Sequence, residues 1–240
     1  TITKSMKTIL KSKFVTLGQR ELVQSRDDLI TTFSTRALKI ESVLETNPDI
    51  IHIHSFYNLL NDSEISKIIR TKIPIIFTLH DERVLTGGCH CTDGCSNFRS
   101  ACIKCPQTRG IFHNRVSTEK VYWNEILNQN QSITLVCPSD WMASQVASSG
   151  LALLERVKII RNPASMKYIE TELAEPNNAN RKKFVITFIS HNIHNPYKGI
   201  ENLLTCISMY SKELETENIV FRFVGNGLKP DIPHALDRKS

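Results

Sequence analysis

The chain reads as an α/β protein with two Rossmann-like domains built on parallel sheets, and three features of the sequence say so. Six short apolar runs, rich in Ile, Val and Phe, show little polar alternation: 50–53, 75–79, 133–137, 157–160, 184–189 and 219–224. Such runs predict strands buried on both faces of a parallel sheet. Helical spacings alternate with them, which predicts βαβ units with right-handed crossovers. One stretch, 162–183, breaks the rhythm. It carries Pro163, Glu170, Glu172, Glu175, Pro176, Asn177, Asn178 and Asn180 and ends in Arg181-Lys182-Lys183, so we place a domain boundary there.

Each element follows from its residues. Ala37, Ile40 and Leu44 share one helical face, and Asn47-Pro48 ends that helix. In the strand that follows, His52 and His54 bracket Ile53, so both lie on one face. They can be metal ligands or can line a crevice, and no third ligand is identifiable. The next strand, Ile75 to Leu79, delivers His80-Asp81 into a loop holding five of the seven cysteines within seventeen residues. The third strand ends at Cys137, a small core residue. Ser139 or Asp140 then caps a helix against whose start Trp141 packs. Beyond the boundary, Lys198-Gly199 opens a helix with Ile200, Leu203, Leu204 and Ile207 on one face, and Cys206 is expected in its core. The last strand leads into Gly225-Asn226-Gly227, which suits either close backbone approach to a nucleotide or a tight turn.

Composition sets bounds. With 240 residues, 40 % hydrophobic and 22 % charged, the chain has the make-up of an ordinary globular protein of one large or two modest domains. No apolar run approaches the ~18 residues that span a membrane. Thr1 is not a start methionine and no signal peptide is visible, so the chain reads as a fragment or processed product. Residues 1–20 carry Lys4, Lys7, Lys11, Lys13 and Arg20 with no acid. That segment is either a solvated helical face or a contact for anionic lipid. Elsewhere basic residues are interspersed with acids, which argues against a nucleic-acid partner.

The cysteine loop admits three readings. Cys89, Cys95, Cys102 and Cys105, at C-x5-C-x6-C-x2-C, can hold one structural zinc ion, with the last pair as a knuckle. They can instead be free thiols, or disulfides in an oxidising compartment.

Thr78-Leu79-His80-Asp81, Thr86-Gly87-Gly88-Cys89-His90 and the spacing Cys89, Cys95, Cys102, Cys105-Pro106-Gln107 together resemble one branch of glycosyltransferase family 4, bacterial enzymes that build surface polysaccharides such as colanic acid and capsule. Asp49 to Ser55, Cys137 to Met142, Val157 to Pro163, Phe188 to Gly199 and Val224 to Gly227 extend the likeness from about residue 49 to 227. Arg83 stands where an aromatic is usual, and Cys91 where tyrosine is usual.

The resemblance implies a GT-B-like architecture, two Rossmann-like domains facing across a cleft, both incomplete here. Residues 1–165 would be the acceptor-side domain, lacking its first strand and glycine-rich loop and carrying the cysteine-rich loop 86–108. Residues 166–240 would begin the nucleotide-sugar-binding domain and stop before its E-x7-E motif. It implies a retaining glycosyltransferase without catalytic metal, passing sugar from a nucleotide-sugar donor to a lipid-linked or oligosaccharide acceptor. The location implied is cytoplasmic, peripheral at the inner face of the plasma membrane. His80 and Asp81 are the implied catalytic residues. His80 would touch the donor sugar, and Asp81 would orient His80 or cap the next turn. Ser190, Lys198, Gly199 and Gly225 are the implied donor-binding residues, Lys198 meeting the diphosphate. Relatives pair that lysine with an arginine, and here the preceding residues supply only His191 or His194. Two rival readings are a zinc-stabilised module binding nucleic acid or protein, and a non-catalytic remnant of the same fold.

Overall fold

The computed structural model describes residues 38–56, 59–108, 112–152, 154–163, 183–227, 230–233 and 236. Residues 1–20, Ala37 and most of the expected boundary stretch lie outside them. The chain divides into two compact units, the first ending at Pro163. Both units are α/β with parallel strands, as a Rossmann-like fold requires.

The first unit holds β1 (Ile51–Ile53), β2 (Ile75–Thr78), β3 (Ile133–Cys137) and β4 (Val157–Ile159). They pair in chain order, all parallel. Among the described residues four α-helices accompany them: α1 (Glu41–Leu44), α2 (Asp62–Arg70), α3 (Phe112–Gln129) and α4 (Asp140–Ser148). Two of these starts are written in single residues. The Asn61 side chain accepts the Glu64 N–H before α2, and the Ser139 side chain accepts the Met142 N–H before α4.

The register explains the core. Ile51, Ile75 and Ile133 form one row across the sheet, and Ile53, Phe77 and Leu135 form the next. All six are buried, against Ile65 and Ile68 of α2, Trp123 and Leu127 of α3, and Met142 and Val146 of α4. Phe56, Phe77 and Trp123 meet in tilted and edge-to-face ring contacts. The other face differs from expectation. His52 is exposed, and Ile76 and Thr134 are only half-buried, so β1, β2 and β3 are fully covered on one side, while β4 has Val157 half-buried and Lys158 and Ile159 exposed. Trp141 also departs from expectation and is 56 % exposed. The buried residues of α4 are Met142 and Val146, and a residue one step from Met142 turns about 100° away from that face.

The second unit pairs β5 (Phe184–Asn192) with β6 (Ile219–Asn226) in parallel. The ladder slips between Ile189 and Asn192 and resumes at Asn192 opposite Asn226. Two helices follow Lys198, α5 (Ile200–Met209) and α6 (Ser211–Thr216). Ile207, Phe221 and Leu236 form a small core. Cys206 is exposed rather than buried. Its neighbour Ile207 takes the buried position, and the Ile200–Leu203–Leu204–Ile207 spacing itself leaves residue 206 off that face. No helix among the described residues is long and apolar enough to cross a membrane.

Candidate functional site

The C-terminal ends of parallel strands are where open α/β sheets present ligand-binding groups. In the first unit that edge is rich in imidazole. β1 and β2 lie side by side, and the chain just beyond each strand carries His54 and His80. His54 Nδ1 and His80 Nε2 are 2.8 Å apart, and the rings stack with centroids 5.2 Å apart. His52 sits against His54 at 4.2 Å between centroids, and its Nε2 lies 2.8 Å from the buried Thr78 hydroxyl. Although His52 is exposed overall, partial desolvation at the sheet edge pushes its pKa down, and the neighbouring His54 and His80 add to that.

A neutral imidazole carries one N–H and one lone pair. Nitrogens 2.8 Å apart share a single proton between them. If His54 Nδ1 holds it, His54 Nε2 is left as an acceptor and His80 Nδ1 as a donor. If His80 Nε2 holds it, the outward roles swap. In either tautomer the neutral pair offers one donor and one acceptor.

His54 and His80 line a small depression together with Ser55, Thr78, Asp81 and Arg83. Asp81 does not serve His80. One of its oxygens accepts the Arg83 N–H at 3.0 Å and the other lies 2.8 Å from His90 Nδ1, so it caps the next turn and holds His90. Of the two roles expected for Asp81 the structure shows the cap, and the imidazole it binds is a different one.

Arg83, the departure from the aromatic pattern, is buried. Its Nη2 donates to Glu119 Oε1 at 2.7 Å, and its guanidinium carbon lies 5.7 Å from the Phe56 ring centre. Glu119 is shared with Arg115, 3.2 Å away, and Arg115 reaches Asp62 at 3.1 Å. Burial raises the Glu119 pKa, while the Arg83 charge pulls the other way.

The loop beyond is held from below. A Cβ on Gly87 would fall 2.0 Å from the Val116 carbonyl, so only glycine lets this turn sit on α3. The Thr86 hydroxyl donates to the Cys89 carbonyl and accepts the Gly88 N–H. Lys120, fully buried, donates to the carbonyls of Leu85 and Ser149 and to Asn124 Oδ1. Burial pushes its pKa down to about 8, and these three acceptors work against that by favouring the ammonium.

The four cysteines expected to hold zinc lie near one another, since the charges of Cys95, Cys102 and Cys105 are all felt at Cys89. Cys89, Cys102 and Cys105 share a buried cluster with Phe98 and Val116, while Cys95 is half-buried outside it. Cys89 and Cys105 are hydrogen-bonded, which raises the Cys89 pKa and lowers that of Cys105 to about 6. Among the described residues no group of three or more Cys, His, Asp or Glu is arranged to hold a metal ion. The residues suit zinc in kind, four thiols, and the side chains as they stand are arranged as a Cys89–Cys105 pair with Cys95 and Cys102 beside it.

The second unit presents its expected donor residues differently. A Cβ on Gly225, at φ +150°, would lie 1.7 Å from the Ser190 carbonyl oxygen. Gly225 and Ser190 are therefore in backbone contact, and the Ser190 hydroxyl donates to the Asn192 carbonyl. Lys198 is exposed at the end of a 3-10 turn (Pro196–Lys198). Gly199 follows at φ +75° as the N-cap of α5 without a side-chain cap.

Residue reasoning pointed to His80, the His52/His54 face and Lys198. It missed the His54–His80 bond, the Asp81–His90 bond, the Arg83–Glu119 pair and Lys120. Arg83 carried one signal in sequence, since it was the position that broke an otherwise matching pattern.

No family model and no solved structure matches the chain. Over 202 residues, 78 % of this chain, it is 25 % identical to a protein of Escherichia coli (strain K12) named "Putative colanic acid biosynthesis glycosyl transferase WcaC". The match takes in 46 % of that protein, so this chain spans about half the length of the relative. The chain is thus similar to a protein named as a glycosyl transferase, at a level that speaks to general class.

Proposed function

We propose that this chain is part of a glycosyltransferase of polysaccharide biosynthesis, taking sugar from a nucleotide-sugar donor and passing it with retention to a lipid-linked or oligosaccharide acceptor. The observation that carries the reading is the His54–His80 pair at the sheet edge. Its one outward donor and one outward acceptor match a sugar, whose adjacent hydroxyls each donate and accept. Because the two roles are linked through the shared proton, whichever orientation the sugar takes selects the matching tautomer. The pair also accepts a proton without moving, which suits a group placed near a reacting hydroxyl.

In the second unit, Lys198 and the uncapped first turn of α5 are assigned to the leaving diphosphate. An ammonium beside unpaired helix amides favours that charge. Ser190 and Gly225 shape this loop through backbone contact and are not assigned ligand bonds.

Titration of a nucleoside diphosphate sugar tests the reading. Lys198→Ala should weaken binding of both the sugar nucleotide and the bare nucleoside diphosphate, by about tenfold. His80→Ala and His54→Ala should weaken the sugar nucleotide while leaving the bare diphosphate nearly unchanged. No weakening by any of the three would remove the transferase site from these residues.

A further inference from the structure

Lys120 is a fully buried cation without an anion. Its ammonium is held by three neutral acceptors, the Leu85 and Ser149 carbonyls and Asn124 Oδ1. Among the described residues no carboxylate pairs with it, and the charge that reaches it is that of Cys102. A charge taken out of water is costly unless an opposite charge stands near it.

The loop above it is short of other support. Residues 86–108 form no helix beyond the single 3-10 turn Asn97–Arg99. Their buried cluster has five members, three of them cysteines. So long a loop on so small a core needs a crosslink. Its sulfurs are also met by donors that favour the thiolate: the Gly87 N–H at Cys102, and the Gln107 N–H and Thr108 hydroxyl at Cys105. Thr108 Oγ1 in turn lies 3.2 Å from His113 Nδ1. The Leu85 carbonyl bound by Lys120 and the Gly87 N–H at Cys102 belong to one turn, packed on α3.

We propose that Cys89, Cys95, Cys102 and Cys105 hold one structural zinc ion as thiolates, and that the buried ammonium of Lys120 is the counter-charge of that site. Four thiolates around one divalent ion leave a net negative charge, and Lys120 offsets part of it. Binding forms four zinc–sulfur bonds and releases the remaining thiol protons to water. Zinc draws Cys95 and Cys102 onto the Cys89–Cys105 pair, because such sites close as the chain folds around the metal. The site is independent of the transferase reading, and its test needs no sugar.

The test is zinc affinity by chelator competition, together with the melting temperature of the chain with and without zinc. Zinc should raise the melting temperature and protect residues 86–108 from protease. Cys95→Ser and Cys102→Ser should each weaken zinc about tenfold or more, and Cys91→Ser should leave it unchanged. Lys120→Met should weaken zinc about tenfold and lower the melting temperature more with zinc than without it. Should Lys120→Met fail to fold, Lys120→Gln keeps a donor for the carbonyls without the charge, and it should weaken zinc likewise. A chain that binds no zinc, or holds it undiminished in Cys95→Ser and Cys102→Ser, overturns the site. Full zinc affinity in the neutral Lys120 variants, or an equal loss of melting temperature with and without zinc, overturns the counter-charge.

Discussion

The two units end their parallel strands in opposite ways. At the β1–β2 edge, side chains from neighbouring strands bond to each other: His54 to His80, His52 to Thr78. At the β5–β6 edge the backbone closes up, with Gly225 against Ser190, and polar side chains turn to their own loop. Ser190 donates to the Asn192 carbonyl, Asn192 accepts the His194 N–H, and Asn195 accepts the Tyr197 N–H. The first edge is a side-chain site held on rigid strands. The second is a backbone-shaped loop with an exposed lysine beside it, suited to a group recognised by charge. The difference teaches where substitutions should strike: ligand discrimination in the first unit, loop shape in the second.

The largest expected effect lies beneath the first edge. Trp123 is fully buried against Phe56 and Phe77. Trp123→Ala should destabilise by about 3–5 kcal/mol, measured by urea unfolding. A smaller loss would mean that the aromatic cluster does not support the histidine-bearing strands.

The glycines of the second unit sharpen the contrast. Gly225→Ala forces a Cβ into the Ser190 carbonyl, and Gly199→Ala meets nothing within 4 Å. The first should cost roughly 3 kcal/mol, by analogy with severe overpacking. The second should cost about 1 kcal/mol, the strain of a left-handed residue. Equal effects in thermal melts would show that the loop is not built on backbone contact.

Acidity separates the units further. His52 holds its proton less tightly folded than unfolded. Between its folded value and the ordinary 6.5 the unfolded chain therefore binds more protons. Stability should rise with pH through that window and fall on acidification. His52→Gln should flatten this part of the urea-midpoint profile between about pH 5 and 7, and an unchanged slope would assign the dependence elsewhere.

A smaller test concerns the cysteine loop. The spacing of Cys89, Cys95, Cys102 and Cys105 predicts that protein purified without chelator carries about one zinc per chain. Metal-free protein with four titratable thiols would rule that site out.

Much of the scaffold was legible in the sequence. The six expected strands lie where Ile, Val and Phe cluster, because β-branched and aromatic residues favour extended backbone, even in β4 and β5, whose residues are largely exposed. β5 and β6 run past their apolar runs, since Asn192 and Asn226 still pair after the slip. Ser139 as N-cap was readable because capping is local. The site was legible only as single residues. His54 meets His80, 26 positions away, through the β1–β2 register, and Arg83 meets Glu119, 36 positions away, through the packing of α3. Neither distance is encoded in local pattern. Cys206 and Trp141 were misplaced because residue type was weighed above helical phase.

The account turns on the His54–His80 pair as a sugar-recognising element distinct from the diphosphate-binding lysine. Calorimetric titration of His80→Ala with a nucleoside diphosphate sugar and with the bare nucleoside diphosphate tests this most directly. The account predicts weakened binding of the sugar nucleotide and near wild-type binding of the bare diphosphate. Equal weakening of both, or of neither, would contradict it.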